Sequence, residues 1–323
     1  MCLYRGFLMD EFEIIRLFFQ KQQAVNSISI GIGDDGAIIQ PSSNKNLIVT
    51  TDTSISGVHF PINSEASDIG YRAVVVNVSD IAAMGGNAKW MTLALTLDVF
   101  EHSWLERFSE GLFEAAKEYG ITLIGGDTTR GEDNIITIQM IGEVTPDEEI
   151  TRDKAKEGDL IFVTGTIGDA AAGLDQFVSH ESKNKYLMKR FFRPSARIEI
   201  GQALKNIASS AIDISDGLYA DAQKLLKASD LGGHLKINQI PLSDEIIKLY
   251  NEKMIYDFAL SGGDDYELLF TAPSDCLTKI QRIANQLNQK ITIIGEVDNS
   301  KKLRCSNKGQ PIKYHSDGYL HFK

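Results

Sequence analysis

Six short segments of the chain place one or two aspartates where an apolar run gives way to glycine, serine or threonine. They are residues 31–36 (GIGDDG), 50–53 (TTDT), 77–80 (NVSD), 125–130 (GGDTTR), 213–217 (DISDG) and 261–265 (SGGDD). Because each lies at the end of an apolar run, we expect the fold to gather these carboxylates into one acidic cluster, which requires cations. Mg²⁺ prefers oxygen ligands and is typically shared between carboxylates and substrate phosphates. The pattern therefore predicts a magnesium site for a phosphate-bearing substrate.

Two of these aspartates admit a structural as well as a functional interpretation. Asp52 stands beside hydroxyl groups that suit Mg²⁺, although an aspartate at a strand end, taken singly, is more often a turn former or cap. Asp80 interrupts an otherwise apolar helical pattern, where a carboxylate is costly to bury unless it is paired or binds a metal. The alternative for Asp80 is a hydrogen bond to Ser79 or Asn77, and we favour metal binding.

The glycine-containing segments have alternatives as well. Residues 31–36 match the G-x-G-x-x-G pattern, but the sequence that follows indicates a strand ending at Pro41, whereas a dinucleotide-binding loop must open a helix. In 125–130 the glycine pair gives backbone N–H groups access to a phosphate, beside an aspartate and an arginine. Ser215 fits a helix N-cap, which is compatible with a phosphate site. His59 has the alternative of an ordinary surface or core histidine.

The elements that must position these segments alternate between strand and helix. Strands are predicted over 47–53, 121–124, 135–141, 160–164, 211–214, 268–271 and 291–294, and helices over 67–84, 103–120 and 215–229, with a further helix between the last two strands. Ser103 and Glu106 fit a capping box at one helix start. The predicted class is α/β (α+β). The polar stretch 145–156 is the predicted linker, which gives domains 1–148 and 149–323.

Composition narrows the class of protein. A length of 323 residues favours two domains. The net charge of -11 disfavours nucleic acid and anionic membranes as partners, since both are bound through clustered Lys and Arg. No window approaches the roughly 18 apolar residues of a membrane span. The three cysteines are isolated, so we expect a reducing, cytoplasmic location.

Taken together, the segments resemble the thiamine-monophosphate kinase family, within the superfamily of aminoimidazole ribonucleotide synthetase. The similarity runs in order from about Asp10 to the C-terminus and is most specific in residues 123–131, in 51–53 together with 59–60, and in 260–268. The resemblance implies a two-domain fold whose N-terminal sheet pairs into a barrel across a homodimer. It also implies transfer of the γ-phosphoryl group of ATP to thiamine monophosphate, the last step of thiamine diphosphate biosynthesis, with several Mg²⁺ ions.

The resemblance also assigns roles to individual positions. The implied metal-binding residues are Asp35, Thr50, Thr51, Asp52, Asp80, Asp127, Asp213 and Asp216. The implied ATP contacts are Gly126, Asp127, Arg152 and Ser215. The implied substrate contacts are His59, Asp264 and a C-terminal aromatic, for which Tyr319 is chosen over Tyr314 and His315. The family often has Glu where this chain has Asp264.

The chemistry of such a transfer fits a chain that is rich in aspartates and poor in candidate bases. A phosphomonoester has its second pKa near 6, so its attacking oxygen is already largely ionised at neutral pH and no general base is needed. The chain has neither a P-loop nor the His-Arg-Asp signature of protein kinases. The alternatives left open are a sister ATP-dependent synthetase of the same superfamily and a non-catalytic module that binds Mg²⁺ and a nucleotide.

Overall fold

A computed structural model describes residues 10–22, 25–179, 183–316 and 318. The chain forms two compact units. Unit 1 comprises residues 1–43, 49–77 and 88–141, and unit 2 comprises residues 44–48, 78–87 and 142–323. Two N-terminal segments thus belong to the unit that is otherwise C-terminal. The division into domains 1–148 and 149–323 stays a prediction.

The described residues form thirteen strands and ten α-helices. The strands are β1 Ile28–Ile30, β2 Ile38–Ile39, β3 Asn46–Ile55, β4 Asn87–Leu97, β5 Thr122–Arg130, β6 Ile135–Val144, β7 Leu160–Thr164, β8 Ser210–Asp213, β9 Gly232–Lys236, β10 Leu268–Ala272, β11 Ile291–Asp298, β12 Leu303–Asn307 and β13 Gln310–Ile312. The helices are α1 Glu11–Ile14, α2 Ala66–Ala83, α3 His102–Tyr119, α4 Asp169–Ser179, α5 Lys185–Phe192, α6 Ile198–Ala203, α7 Leu218–Ala228, α8 Asp244–Leu249, α9 Glu252–Ser261 and α10 Leu277–Gln286. A π-helical turn, Ile15–Phe19, continues α1. None of these helices is long and apolar enough to cross a membrane.

A four-stranded sheet in the order β3-β6-β4-β5 carries the N-terminal motifs. Strands β4 and β5 run parallel. Helices α2 and α3 pack closely at Gly111. A Cβ atom there would lie 1.8 Å from the carbonyl oxygen of Ser67, so only glycine allows this approach. Large buried side chains, including Met91, Phe108 and Ile136, fill the core of unit 1.

Unit 2 is built on a seven-stranded sheet in the order β13-β12-β9-β11-β7-β10-β8. The pairs are antiparallel except β12 with β9. One core cluster lies around Leu218, Leu235 and Leu269, and another around Phe162 and Phe270, whose rings stack at 4.9 Å. The mixed α/β class predicted from the sequence is confirmed.

The predicted helices and strands are present, and the differences lie at their ends. Helix α3 begins at His102, so the predicted capping box is wrong: Ser103 lies inside the helix and its hydroxyl donates to the Glu101 carboxylate at 2.6 Å. Helix α7 begins at Leu218 and its N-cap residue is Gly217, so the predicted N-cap role of Ser215 is wrong. Strand β5 continues through the glycine pair to Arg130. Its pairing with β4 shifts register between Met91 and Thr92 and then continues to the end of the strand.

Candidate functional site

Within unit 1, strand β3 presents Asp52 from the strand interior rather than from its end. Its backbone N–H donates to the side-chain oxygen of Asn77 at 3.2 Å, and Asn77 in turn donates to the Ala73 carbonyl in helix α2 at 3.0 Å. Because side chains alternate along a strand, Thr50 and Asp52 share one face and Thr51 lies on the other. The structure thus brings together the side chains of Thr50 and Asp52, and separates that of Thr51 from them.

Strand β5 carries Gly126 and Asp127 in a conformation that needs glycine. Gly126 has φ +155°, and a Cβ atom there would lie 1.8 Å from the Leu93 carbonyl oxygen of the neighbouring strand. Gly125, by contrast, has open space around the Cβ position. The adjacent Asp127 is exposed. The glycine is therefore required to bring two strands close together immediately before an aspartate that is a predicted site residue.

A pocket of about 550 Å³ joins two of the predicted motifs in unit 1. Its walls include Asp35, Gly126 and Asp127, together with residues from α1 and the π-helical turn. The side of the pocket formed by α1 and the π-helical turn was not predicted from the sequence. It contributes Phe12, Ile15, Arg16, Phe19 and Gln20. The volume is typical of small-molecule sites. The amphipathic pattern of residues 12–19 was the available signal, but such a pattern ordinarily indicates core packing.

The turn that carries Asp35 is shaped by its neighbour. The Asp34 carboxylate accepts the backbone N–H of Asp35 at 2.9 Å, an aspartate side chain bonding to adjacent backbone as in many turns. The strand that follows is β2, only two residues long, and no helix opens at this loop. The dinucleotide-binding interpretation of residues 31–36 is therefore excluded.

His59 is held in one ring orientation by the backbone. Its Nδ1 atom accepts the N–H of Ile55 at 3.0 Å, so the neutral imidazole carries its proton on Nε2. The residue is half-buried in the turn that follows β3. This anchoring suits a side chain that positions a ligand.

Within unit 2, the end of strand β8 meets the C-terminal part of α2. The buried carboxylate of Asp213 accepts the hydroxyl of Ser79 at 2.8 Å. Asp80 is the next residue of the helix and is partly exposed. Two predicted metal-binding residues thus lie on adjoining elements.

The turn after β8 is tied to helix α7 by Asp221. The Asp221 carboxylate accepts the backbone N–H groups of Ser215 and Asp216, both at 3.0 Å. Burial raises the pKa of Asp221, and the nearby Lys224 opposes that rise. The ammonium group of Lys224 donates to Asp221 at 2.8 Å and also pairs with Asp216. Asp221 and Lys224 were missed by sequence reasoning, because their role depends on the turn that they hold.

Asp264 lies in a strained turn next to the same segment. Asp264 and Tyr266 both have left-handed backbone conformations, with φ 62° and 50°, which side-chain-bearing residues adopt only when the surroundings enforce them. The Asp264 N–H donates to the Ser215 carbonyl at 2.9 Å, and its carboxylate accepts the Tyr266 hydroxyl at 3.1 Å. The structure thus places a predicted substrate contact beside a predicted ATP contact.

One buried carboxylate lies within this turn and another follows it. Asp265 accepts the N–H groups of Gly168 and Ala170 at the start of α4, and burial raises its pKa to about 7. Glu267 accepts Arg190 at 2.9 Å and is also paired with Arg197. Burial alone would raise the pKa of Glu267, but the two arginines outweigh it and the pKa is lowered.

The remaining predicted site residues are less constrained. Arg152 is exposed, and its carbonyl accepts the Ser229 hydroxyl at 3.1 Å. Tyr319 lies outside the described residues. Of the two alternatives, His315 is exposed, whereas the half-buried Tyr314 bonds through its hydroxyl to Ser261 and packs edge-on against Tyr219 at 5.1 Å.

The donor set fits magnesium by its chemistry. Every predicted ligand offers a carboxylate or hydroxyl oxygen, the hard donors that Mg²⁺ takes. In unit 2 the ammonium of Lys224 lies between Asp216 and Asp221, so this turn already accommodates a positive charge. Across the part of the chain that the structure describes, no three histidine, cysteine or carboxylate side chains are grouped closely enough to hold a metal by themselves. Substrate phosphates commonly complete the coordination of Mg²⁺.

Comparison with known proteins identifies the family. The model described as AIR synthase related protein, N-terminal domain, matches residues 33–144, and the one described as AIR synthase related protein, C-terminal domain, matches residues 156–306. The thiamine-monophosphate kinase of Haemophilus influenzae is 41% identical over 324 residues, covering 98% of each chain. The chain belongs to the thiamine-monophosphate kinase family. The family resemblance seen in the sequence is thereby confirmed.

Solved structures of this family share the fold. The thiamine-monophosphate kinase from Stenotrophomonas maltophilia K279a superposes with a TM-score of 0.83 at 38% identity, covering 89% of this chain and 93% of that one. AaThiL complexed with AMPPCP and TMP superposes with a TM-score of 0.77 at 33% identity, covering 98% of this chain and all of that one.

Proposed function

We propose that this protein transfers the γ-phosphoryl group of ATP to thiamine monophosphate, forming thiamine diphosphate and ADP. The observation that carries the proposal is the similarity, over 98% of this chain, to a protein solved with AMPPCP and TMP together. AMPPCP is an ATP analogue whose β–γ bridge resists hydrolysis, so that pair of ligands corresponds to the two substrates of this reaction.

The chain's own residues supply positioning and charge rather than proton transfer. The acceptor is a phosphate whose second pKa is near 6, so a protein base is not required. Phosphoryl transfer depends mainly on in-line alignment and on stabilisation of negative charge. Gly126 and Asp127 are both exposed on β5, and the half-buried His59 is oriented through its Nδ1 atom. Arg152 is proposed as a further ATP contact.

Magnesium is part of the proposal. Asp35, Thr50, Thr51, Asp52, Asp80, Asp127, Asp213 and Asp216 are the proposed ligands. When bound, Mg²⁺ would neutralise the charge of the two phosphates that must approach each other. Thr51 would contribute differently from Thr50 and Asp52, because its side chain lies on the opposite face of β3.

The test of the proposed function is a direct assay. The full chain is incubated with Mg-ATP and thiamine monophosphate, and thiamine diphosphate and ADP are quantified by chromatography against a control containing EDTA. Equal amounts of both products above that control are expected. Hydrolysis of ATP without thiamine diphosphate would contradict the proposal and favour a sister ATP-dependent enzyme. Binding of nucleotide without any product would favour the non-catalytic module.

We further propose a cytoplasmic homodimer. The proposal rests on the family resemblance, whose pattern pairs N-terminal sheets into a barrel, and on the isolated cysteines. Analytical ultracentrifugation checks the assembly: a species of twice the 35.7 kDa chain mass is expected at micromolar concentration. A monomer at all concentrations would contradict it.

A further inference from the structure

Lys224 places a positive charge between two carboxylates at the turn that follows β8. Its ammonium group contacts Asp216 on one side and, at 2.8 Å, Asp221 on the other. The side chains of Lys224 and Asp216 are 42% and 32% exposed, whereas that of Asp221 is fully buried. The pair with Asp216 therefore lies at the surface, where water and ions can compete for it.

The carboxylates of Asp221 and Asp216 make different kinds of contact. One oxygen of Asp221 accepts two backbone N–H groups of the turn and the other accepts Lys224, so this side chain is committed to holding the turn. The backbone N–H of Asp216 donates to Asp221, and the carboxylate of Asp216 accepts the ammonium group of Lys224. Only Asp216 can exchange its cation without dismantling the turn.

We propose that Lys224 is an internal counter-ion for Asp216, which a divalent cation must displace when it binds there. The inference rests on the magnesium site of the proposed function. Lys224 contacts one oxygen of Asp216. Because an ammonium group and Mg²⁺ on the same carboxylate would repel each other, a metal bound there would drive Lys224 away from Asp216. Lys224 stays near the turn after this exchange, because Asp221 still holds it. The lysine thus sets the concentration of Mg²⁺ that the site needs.

The test is a titration of Mg²⁺ into the full chain saturated with AMPPCP, without thiamine monophosphate, and the melting temperature is followed against the free Mg²⁺ concentration. AMPPCP is present because the described side chains by themselves do not group closely enough to hold the ion. In Lys224→Gln the half-saturating Mg²⁺ concentration is expected to fall about two- to fivefold, the range that a partly exposed ion pair supports. In EDTA the same variant is expected to melt at a lower temperature than the wild type, because the buried carboxylate of Asp221 loses its cation.

Two further variants separate this exchange from a general effect of charge. Lys227→Gln removes the same charge from an exposed position one turn along α7. It is expected to leave the half-saturating concentration within about 1.5-fold of the wild type, since an exposed charge acts through water, where its Coulomb energy is small. Lys224→Arg keeps the counter-ion and is expected to resemble the wild type. Unchanged or weaker Mg²⁺ binding in Lys224→Gln, an equal gain in Lys227→Gln, or no Mg²⁺ binding by the wild type would overturn the inference.

This measurement is independent of the kinase assay. If thiamine diphosphate is formed but Lys224→Gln binds Mg²⁺ no more tightly, the counter-ion inference alone fails. If the shift in Mg²⁺ binding is seen and no thiamine diphosphate is formed, the proposed reaction alone fails.

Discussion

The aspartates of this protein differ in burial and in hydrogen-bond partners. Asp213 is buried and accepts the Ser79 hydroxyl, whereas Asp127 is exposed beside Gly126. Asp221 and Asp265 accept backbone N–H groups and hold turns in place. Carboxylates of the same type therefore divide between anchoring the backbone and remaining available to a ligand.

Removing a carboxylate that is proposed to bind metal should abolish turnover while preserving the fold. In Asp127→Asn and Asp80→Asn the side-chain volume is kept and one proposed metal ligand is lost. We expect turnover to fall at least about 100-fold, a loss of roughly 2.7 kcal/mol of transition-state stabilisation, with the melting temperature close to wild type. Asp133→Asn, at an exposed position in the connection between β5 and β6, is the matched control and should retain activity. Wild-type rates in either test variant would contradict the assignment.

His59 offers a test of substrate contact that separates one substrate from the other. In His59→Asn the amide oxygen can still accept the Ile55 N–H, so the turn is kept while the Nε2 donor is lost. We expect KM for thiamine monophosphate to rise about tenfold, as the loss of one hydrogen bond implies, with KM for ATP nearly unchanged. Steady-state kinetics with each substrate varied in turn provides the measurement. A rise confined to KM for ATP would reassign the residue.

At the scale of the element, the approach of β5 to β4 depends on one glycine. A methyl group at Gly126 would overlap the Leu93 carbonyl, and the backbone there is unfavourable for other residues. We expect Gly126→Ala to lower the free energy of unfolding by about 1–3 kcal/mol, typical of overpacking, and to lower activity. Denaturant unfolding measures the first effect.

Gly125→Ala is the natural control for that experiment, because no atom lies within 4 Å of its Cβ position. We expect its free energy of unfolding to stay within about 0.5 kcal/mol of the wild type. Equal losses in both variants would show that the strand tolerates no side chain at all and that the contact with Leu93 is not decisive.

At the scale of the whole molecule, the titration of Asp265 couples stability to pH. Burial raises its pKa in the folded protein to about 7, against about 4 in an unfolded chain. Between these values the folded state binds more protons than the unfolded state at this group. Its contribution therefore makes the free energy of unfolding fall as pH rises from about 4 to about 7, by at most about 1.4 kcal/mol per pH unit.

The variant Asp265→Asn isolates this contribution, because it removes one titratable group and leaves the other titratable groups of the protein in place. The variant is expected to be less stable overall, since an amide cannot accept both N–H groups at the start of α4 as the carboxylate does. The decisive readout is the pH slope. The stability of the wild type relative to the variant should decline from pH 4 to pH 7, and a constant difference would contradict the raised pKa.

The path of the chain has a second consequence for the whole molecule. Unit 2 includes residues 44–48 and 78–87, and Ala82 and Ala83 belong to one of its core clusters. A fragment of residues 149–323 lacks these segments. We expect it to bind a hydrophobic dye and to unfold without a cooperative transition, and a sharp transition like that of the full chain would contradict this.

The sequence by itself determined the alternation of strands and helices, the mixed class and the family, because apolar periodicity and short aspartate motifs are local signals. It also located the aspartates that the family resemblance assigns to the site. Only the tertiary structure decided that Gly126 lies within a strand, that residues 12–20 wall a pocket, and that Asp221 and Lys224 hold the turn after β8. These features depend on contacts between residues far apart in the chain, or on backbone geometry that neighbours impose. Local patterns carry no record of such contacts.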